Sequence, residues 1–178
     1  MIGEIGKIHS AFITINGRVV LDVYNFSSHY FQSIAGEKKR NLSKLLRRRY
    51  GIGVVEWRLI MGLAREPDIA ASELSKFTLT DKAQVSKALK SLESKDLIIL
   101  IPKTDRSPRM NFKLTEKGDQ LHDEFLPVLF KRESALFADS DEAEIEQFFV
   151  MLKRISKNLT RFNAEEMKTD TGSTEDQL

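Results

Sequence analysis

The sequence predicts a mainly α-helical fold with a small antiparallel β wing, in which a winged helix-turn-helix domain is flanked by N- and C-terminal dimerisation helices. Three observations predict it. The stretch Asp81 to Leu97 places Val85, Ala88, Leu89 and Leu92 on one face of a helix and Lys82, Gln84, Lys87, Lys90 and Ser91 on the other. A short helical segment and a turn precede that helix, and two strand-like runs joined by a basic loop follow it. Near the C-terminus, Ile145, Phe148, Leu152, Ile155, Leu159 and Phe162 step by three and four residues, the spacing of a coiled-coil seam.

Length and composition bound the rest. The chain has 178 residues, 41% hydrophobic and 30% charged, enough for one domain with a real core and helical extensions. No run of eighteen apolar residues is present, so no membrane-spanning helix is expected. The opening MIGEIGKIHSAFI lacks the apolar core and cleavage site of a signal peptide, which makes the cytoplasm the expected compartment. With no cysteine, disulfides, thiolate metal sites and cysteine-based redox sensing are excluded. The net charge of +2 hides an uneven distribution. Residues 36–113 hold 18 Lys and Arg against 9 Asp and Glu, a net +9, and the remainder nets −7. A basic middle with acidic flanks points to one part of the fold facing a polyanion.

In chain order, residues 1–23 form an N-terminal extension with two open readings. Phe12 to Leu21 around Asn16-Gly17 would make a short hairpin, because Asn-Gly accepts the positive φ angles of a type I′ turn; a loosely packed leader is the alternative. From Val23 to Tyr50 a helix is predicted, carrying Phe26, Tyr30, Phe31, Ile34, Leu42, Leu45 and Leu46, with Gly36 as a bend and Arg47-Arg48-Arg49 as a basic, solvated end. Gly51-Ile52-Gly53 breaks it. A second helix runs from Val55 to Arg65 with Val55, Leu59, Ile60 and Leu63 inward and Trp57 in the core, and Pro67 stops it. Ala70 to Leu74 is expected as a short helix capped by Ser72 or a neighbour, then a turn at Thr78-Leu79-Thr80.

Asp81 caps the next helix, whose exposed amide and ammonium groups are those that read base edges and phosphates in a major groove. Ile98 to Ile101 and Met110 to Leu114 are the strands of the wing, and Lys103, Arg106 and Arg109 charge the loop between them. Thr115 is the expected N-cap of a long helix through Leu121, Phe125, Val128, Leu129 and Phe137, with Pro127 kinking it. The last helix is expected to start at Asp139 to Asp141, with an Asp139–Glu142 capping box. The predicted divisions are therefore 1–23 as extension, 24–50 and 115–163 as dimerisation region, 51–114 as winged helix-turn-helix and 164–178 as a disordered tail.

Tyr50-Gly51-Ile52, Glu56-Trp57-Arg58, Glu73-Leu74, Val85-Ser86 with Leu92-Glu93, Leu97, Asp105-Arg106 and Leu114-Thr115-Glu116-Lys117-Gly118 together resemble the multiple antibiotic resistance regulator (MarR) family over roughly residues 25 to 163. The resemblance implies a homodimeric winged-helix transcription factor, usually a repressor, often released from double-stranded DNA by a small aromatic acid. It carries the DNA-reading positions onto Lys82, Gln84, Ser86, Lys87 and Lys90, with Lys103 and either Arg106 or Arg109 in the wing. The family often has a glycine where this chain has Leu79, and its wing is one residue shorter between the aspartate and Leu114. A family ligand pocket would draw on Tyr24, Tyr30, Trp57 and Arg58.

An enzyme is not expected. His9, His29 and His122 are far apart in sequence, and there is no His-x-x-His, Glu-x-x-His or Gly-rich phosphate loop, so neither catalytic residues, a metal nor a cofactor is predicted. The rival reading is a winged-helix module that binds protein instead of DNA.

Overall fold

The computed structural model describes residues 11–102 and 110–172, the last six by backbone alone. The chain divides into two compact units, Met1–Glu124 and Phe125–Leu178. Residues 115–124 of the expected dimerisation span thus cluster with the winged helix.

The first unit opens on β1 (Phe12–Ile15) and β2 (Arg18–Leu21), antiparallel with Ile15 opposite Arg18. Asn16 and Gly17 form the two-residue turn at φ 50° and 74°, the left-handed pair that a type I′ hairpin requires. Of the two sequence readings, the hairpin holds. Asp22 then accepts hydrogen bonds from the Tyr24 N–H and the Asn25 side-chain amide, folding Val23–Asn25 into a single 3-10 turn. The long helix α1 (Ser27–Tyr50) consequently starts four residues later than Val23 and runs unbroken through Gly36. Gly51, at φ 65°, ends it by donating its N–H to the Arg47 carbonyl.

Helix α2 (Val54–Arg65) buries Trp57, Leu59, Ile60 and Leu63, while Val55, expected inward, is only half-buried. A two-residue strand β3 (Ile69–Ala70) leads into α3 (Ala71–Thr78). The sequence reading missed β3, since two residues carry no periodicity. Ser72 does not cap α3 as expected. Ala70 is the N-cap, and the Glu73 carboxylate reaches back to its N–H at 3.3 Å. Helix α4 (Lys82–Ser94) follows and buries Val85, Ala88, Leu89 and Leu92, the face its spacing predicts. Strands β4 (Ile98–Ile101) and β5 (Asn111–Leu114) pair antiparallel from Ile98 opposite Leu114 to Ile101 opposite Asn111. Ile69 and Ala70 pair on the other edge of β5, giving a three-stranded sheet in the order β3-β5-β4.

Helix α5 (Glu116–Ser134) begins where Thr115 Oγ1 accepts from the Gly118 N–H at 3.1 Å, the cap the sequence predicts. Gly118 is fixed by a close approach. A Cβ there would overlap the Leu97 carbonyl oxygen, which already accepts the Thr115 N–H. The Leu114-to-Gly118 motif is thus the joint that sets the first turn of α5 against the start of the wing.

In the second unit α5 continues past Pro127 to Ser134, and Ala135–Phe137 forms a 3-10 turn, so Phe137 lies beyond the α-helix predicted to carry it. Its ring meets those of Phe148 and Phe149 at centroid separations of 5.5 and 5.9 Å. The last helix, α6 (Glu142–Gly172), is capped by a reciprocal pair two residues later than predicted: Glu144 N–H donates to Asp141 at 2.8 Å and Asp141 N–H to Glu144 at 3.0 Å. The tail expected to be disordered from residue 164 is helical to Gly172. Ala164, Glu165, Glu166, Met167 and Lys168 are strong helix formers, and extending a nucleated helix costs far less than starting one.

Candidate nucleic-acid interface

The geometry of the candidate site begins at the turn between α3 and α4. Leu79 is the C-cap of α3 in the left-handed region, φ 50° and ψ 42°, where an L side chain costs roughly 1 kcal/mol relative to glycine. Its side chain is 92% exposed, so packing does not hold it there. Hydrogen bonds do. Ser75 Oγ donates to the Thr80 carbonyl at 2.6 Å, the Thr80 N–H donates back to the Ser75 carbonyl at 3.2 Å, and Thr80 Oγ1 donates to the Thr78 carbonyl at 3.1 Å. These bonds hold the turn in the shape a glycine would adopt freely. Ser75 and Thr80 escaped the sequence reading, because a hydroxyl that clamps a turn leaves no spacing signature.

Asp81 then starts α4. Its carboxylate accepts the Gln84 N–H at 2.9 Å and also the Gln84 side-chain amide. The second contact matters chemically. A Gln amide has two N–H groups and one carbonyl; Asp81 takes one N–H, leaving one donor and the Oε1 acceptor, which is the pair that adenine presents a partner for at N7 and N6. Lys82, Gln84, Ser86, Lys87 and Lys90 are all exposed, on the side of α4 opposite its buried residues. The structure therefore brings these five sequence-predicted residues together on one solvent face. Lys103, Arg106 and Arg109 lie outside the described residues.

The far end of α4 is tied to α2. Lys95 Nζ lies 2.6 Å from Glu56 Oε1, and Glu56 Oε2 accepts the Gly53 N–H at 2.5 Å. Lys117 Nζ donates to the Lys95 carbonyl at 2.7 Å. Burial pushes the Glu56 carboxyl up, but the bonds from Lys95, Gly53 and Ser91 outweigh it and hold the group below the usual carboxylate range. One carboxylate thus caps α2 and anchors the C-terminal end of α4. Tyr50 is tied in the same unit, its hydroxyl donating to Glu124 at 3.0 Å.

Beside the polar face of α4 lies a cavity of about 630 Å³ walled by Lys82, Ser86 and Lys90 of α4, Ser72 of α3, and Met110 and Phe112 of the wing. None of the four ligand-pocket candidates lines it. Tyr24 and Tyr30 are exposed and each packs edge-on against His29, Arg58 is exposed, and Trp57 is 1% exposed beneath the ring of His122, 5.9 Å away and nearly parallel. Trp57 lies in the core, as its place on the helix predicts, because α2 turns its indole inward under α5. Among the described residues no group of three His, Asp or Glu side chains is placed to hold a metal ion, and no helix is long and apolar enough to cross a membrane.

Comparison with known proteins gives the same outline. The MarR family profile matches residues 50–106. A MarR/EmrR family transcriptional regulator from Acinetobacter sp. ADP1 superposes with a TM-score of 0.73 at 26% identity, covering 79% of this chain and 99% of that one. MepR of Staphylococcus aureus, solved as a complex with DNA, gives 0.68 at 24% identity over 75% of this chain and 96% of its own. PcaV of Streptomyces coelicolor, solved with its natural ligand, shares the fold at 0.65 and 14% identity over 78% and 96%. A comparison with curated protein sequences found no match.

Proposed function

We propose that the chain is a winged-helix, DNA-binding regulator of the MarR family, a homodimeric repressor that binds an inverted-repeat operator through α4. The observation that carries the reading is the two-sided α4. Four apolar residues are buried while Lys82, Gln84, Ser86, Lys87 and Lys90 face solvent, with the Gln84 amide held ready by Asp81. Two such helices related by a two-fold axis, about 34 Å apart, would read half-sites one helical turn apart. Lys103 would contact the backbone and Arg106 or Arg109 would enter the minor groove, where negative potential is concentrated. MepR, of the same fold, was solved on DNA, which supports this use of the fold.

Selection of bound sequences from random DNA supplies the operator, and three variants then test the reading. Gln84→Ala relaxes preference at one base position, costing about 1–3 kcal/mol of discrimination. Lys90→Ala weakens all sequences alike and reduces the salt slope by about one. Replacing Arg106 and Arg109 together lowers affinity for sites with A·T-rich flanks. Operator affinity that is unchanged in all three would show that α4 and the wing do not read DNA. Protein binding in place of DNA binding, the rival reading, predicts no selected sequence and no steep salt dependence.

The proposal extends to a ligand. Tyr24, Tyr30 and Arg58 are exposed, and in a dimer they would offer rings and a guanidinium to a small aromatic carboxylate, as the ligand-bound PcaV relative encourages. Titration with a panel of aromatic acids would raise the melting temperature and release the operator. A panel that moves neither leaves the regulator without this trigger.

A further inference from the structure

The N-terminal hairpin precedes the stretch that resembles the family, and nothing in DNA reading uses it. Its chemistry is unusual for a surface element. Antiparallel sheets in water normally alternate, with one face polar. Here the opposed pairs put Ile13 with Val20 on one face and Phe12 with Leu21 on the other, and only Thr14 and Arg18 in the two strands are polar. Among the described elements the strands' main contacts are with each other, and an isolated two-stranded hairpin is at best marginal in water. Neither strand carries the proline, lysine or bulge with which exposed edges are usually blunted.

The exposed apolar surface does not stop at the hairpin. It runs on through Val23 and Tyr24 to the first turns of α1, where Tyr30, Phe31 and Ile34 are also exposed. Nine large apolar side chains between Ile13 and Ile34 are 41% or more exposed. At roughly 100 Å² each they present on the order of 900 Å², about what one side of a standard interface buries. Charge narrows the partner. The strands contain one charged residue, Arg18, and the carboxylate of Asp22 is used within its own turn, so the surface has no complement for a nucleic acid; the basic part of α1 begins only at Lys38.

We propose that the hairpin is a dimerisation arm that packs on a second copy of this chain. The proposal rests on the homodimer reading above and names a part of the interface that reading lacks. A two-fold axis brings the same apolar patch from both chains, so a surface that is nearly uncharged and runs into α1, the helix expected at the dimer interface, finds its complement in its own copy.

The experiment compares the full chain with an Ile15→Lys/Val19→Lys variant by sedimentation equilibrium, alongside amide hydrogen exchange of the parent at concentrations above and below its dimer dissociation constant. The expected result is at least a tenfold weaker dimer in the variant with an unchanged circular dichroism spectrum, and hairpin amides in the parent that are protected only above the dissociation constant. A dimer of unchanged strength, with hairpin exchange independent of concentration, overturns the arm and leaves the homodimer standing. A parent that is monomeric throughout overturns both. Loss of binding to phosphatidylcholine vesicles in the variant, with dimerisation intact, assigns the surface to a lipid and overturns the proposal.

Discussion

Helix α4 and helix α6 are both amphipathic by sequence, with apolar residues at three-and-four spacing, yet they meet opposite fates. In α4, Val85 and Leu92 are within 1% of complete burial, covered by α2, α3 and the start of the wing. In α6, Leu159 and Phe162 of an equally regular seam are 58% and 55% exposed. Periodicity states which residues need burial; it does not state which surface supplies it. Where the covering surface lies in the same chain, the helix is part of a folding core. Where it does not, the apolar face stays open to solvent in the single chain.

The difference can be broken most forcefully at α6. Leu152→Glu places a charge in the middle of the seam, and we expect dimers to give way to monomers by light scattering at micromolar concentration. A variant that remains dimeric would mean that the seam is not an interface. The matching cut in α4, Leu92→Ala, should act on folding instead, lowering unfolding free energy in urea by about 2–5 kcal/mol through the cavity it leaves. An effect below about 1 kcal/mol would show that α4 is not the core helix described above.

A smaller effect is expected at the tie between α2 and α4. Glu56→Gln weakens the bonds to Lys95 and Gly53 and should cost about 1–2 kcal/mol at pH 7. Because the Glu56 carboxyl is held below its ordinary value, its contribution is complete above the unfolded carboxylate range near pH 4 to 5 and is lost as pH falls through the lower folded value. Parent and variant should therefore converge in denaturant midpoints as pH falls below the unfolded carboxylate range and through the lowered folded value. A constant gap across that range would contradict the depressed carboxyl. The smallest change is Leu79→Gly, which removes a left-handed leucine that packs on little. It should stabilise by up to about 1 kcal/mol in thermal melts without altering operator affinity. Destabilisation would mean that the leucine is held by contacts beyond its own turn, and weakened operator affinity would mean that it touches DNA.

Much of the fold was legible in the sequence because it was local. Asp81, Thr115 and Gly51 marked helix ends through capping chemistry that acts over three or four residues, and Asn16-Gly17 marked a hairpin through the φ angles the two residues accept. The exposed face of α4 was legible for the same reason, since a 3.6-residue period fixes one face once the other is known to be buried. Other features were not local. Strand β3 exists only because β5 offers it an edge, and Glu56 gains its role only when the chain brings Lys95, 39 residues away, to its second oxygen. The Asp141–Glu144 box won over Asp139–Glu142 although both spacings suit a cap, because Ala135–Phe137 continues as a 3-10 turn and Ser140 donates its N–H to the Phe137 carbonyl, which delays the start of α6. By itself, then, the sequence determined which segments are helices, where most of them end and which faces must leave water, since those depend on neighbours a few bonds apart. Only the tertiary structure decided which carboxylate ties α2 to α4, that β3 forms on the edge of β5, and which apolar faces stay open in the single chain, since each of these depends on what the fold brings alongside.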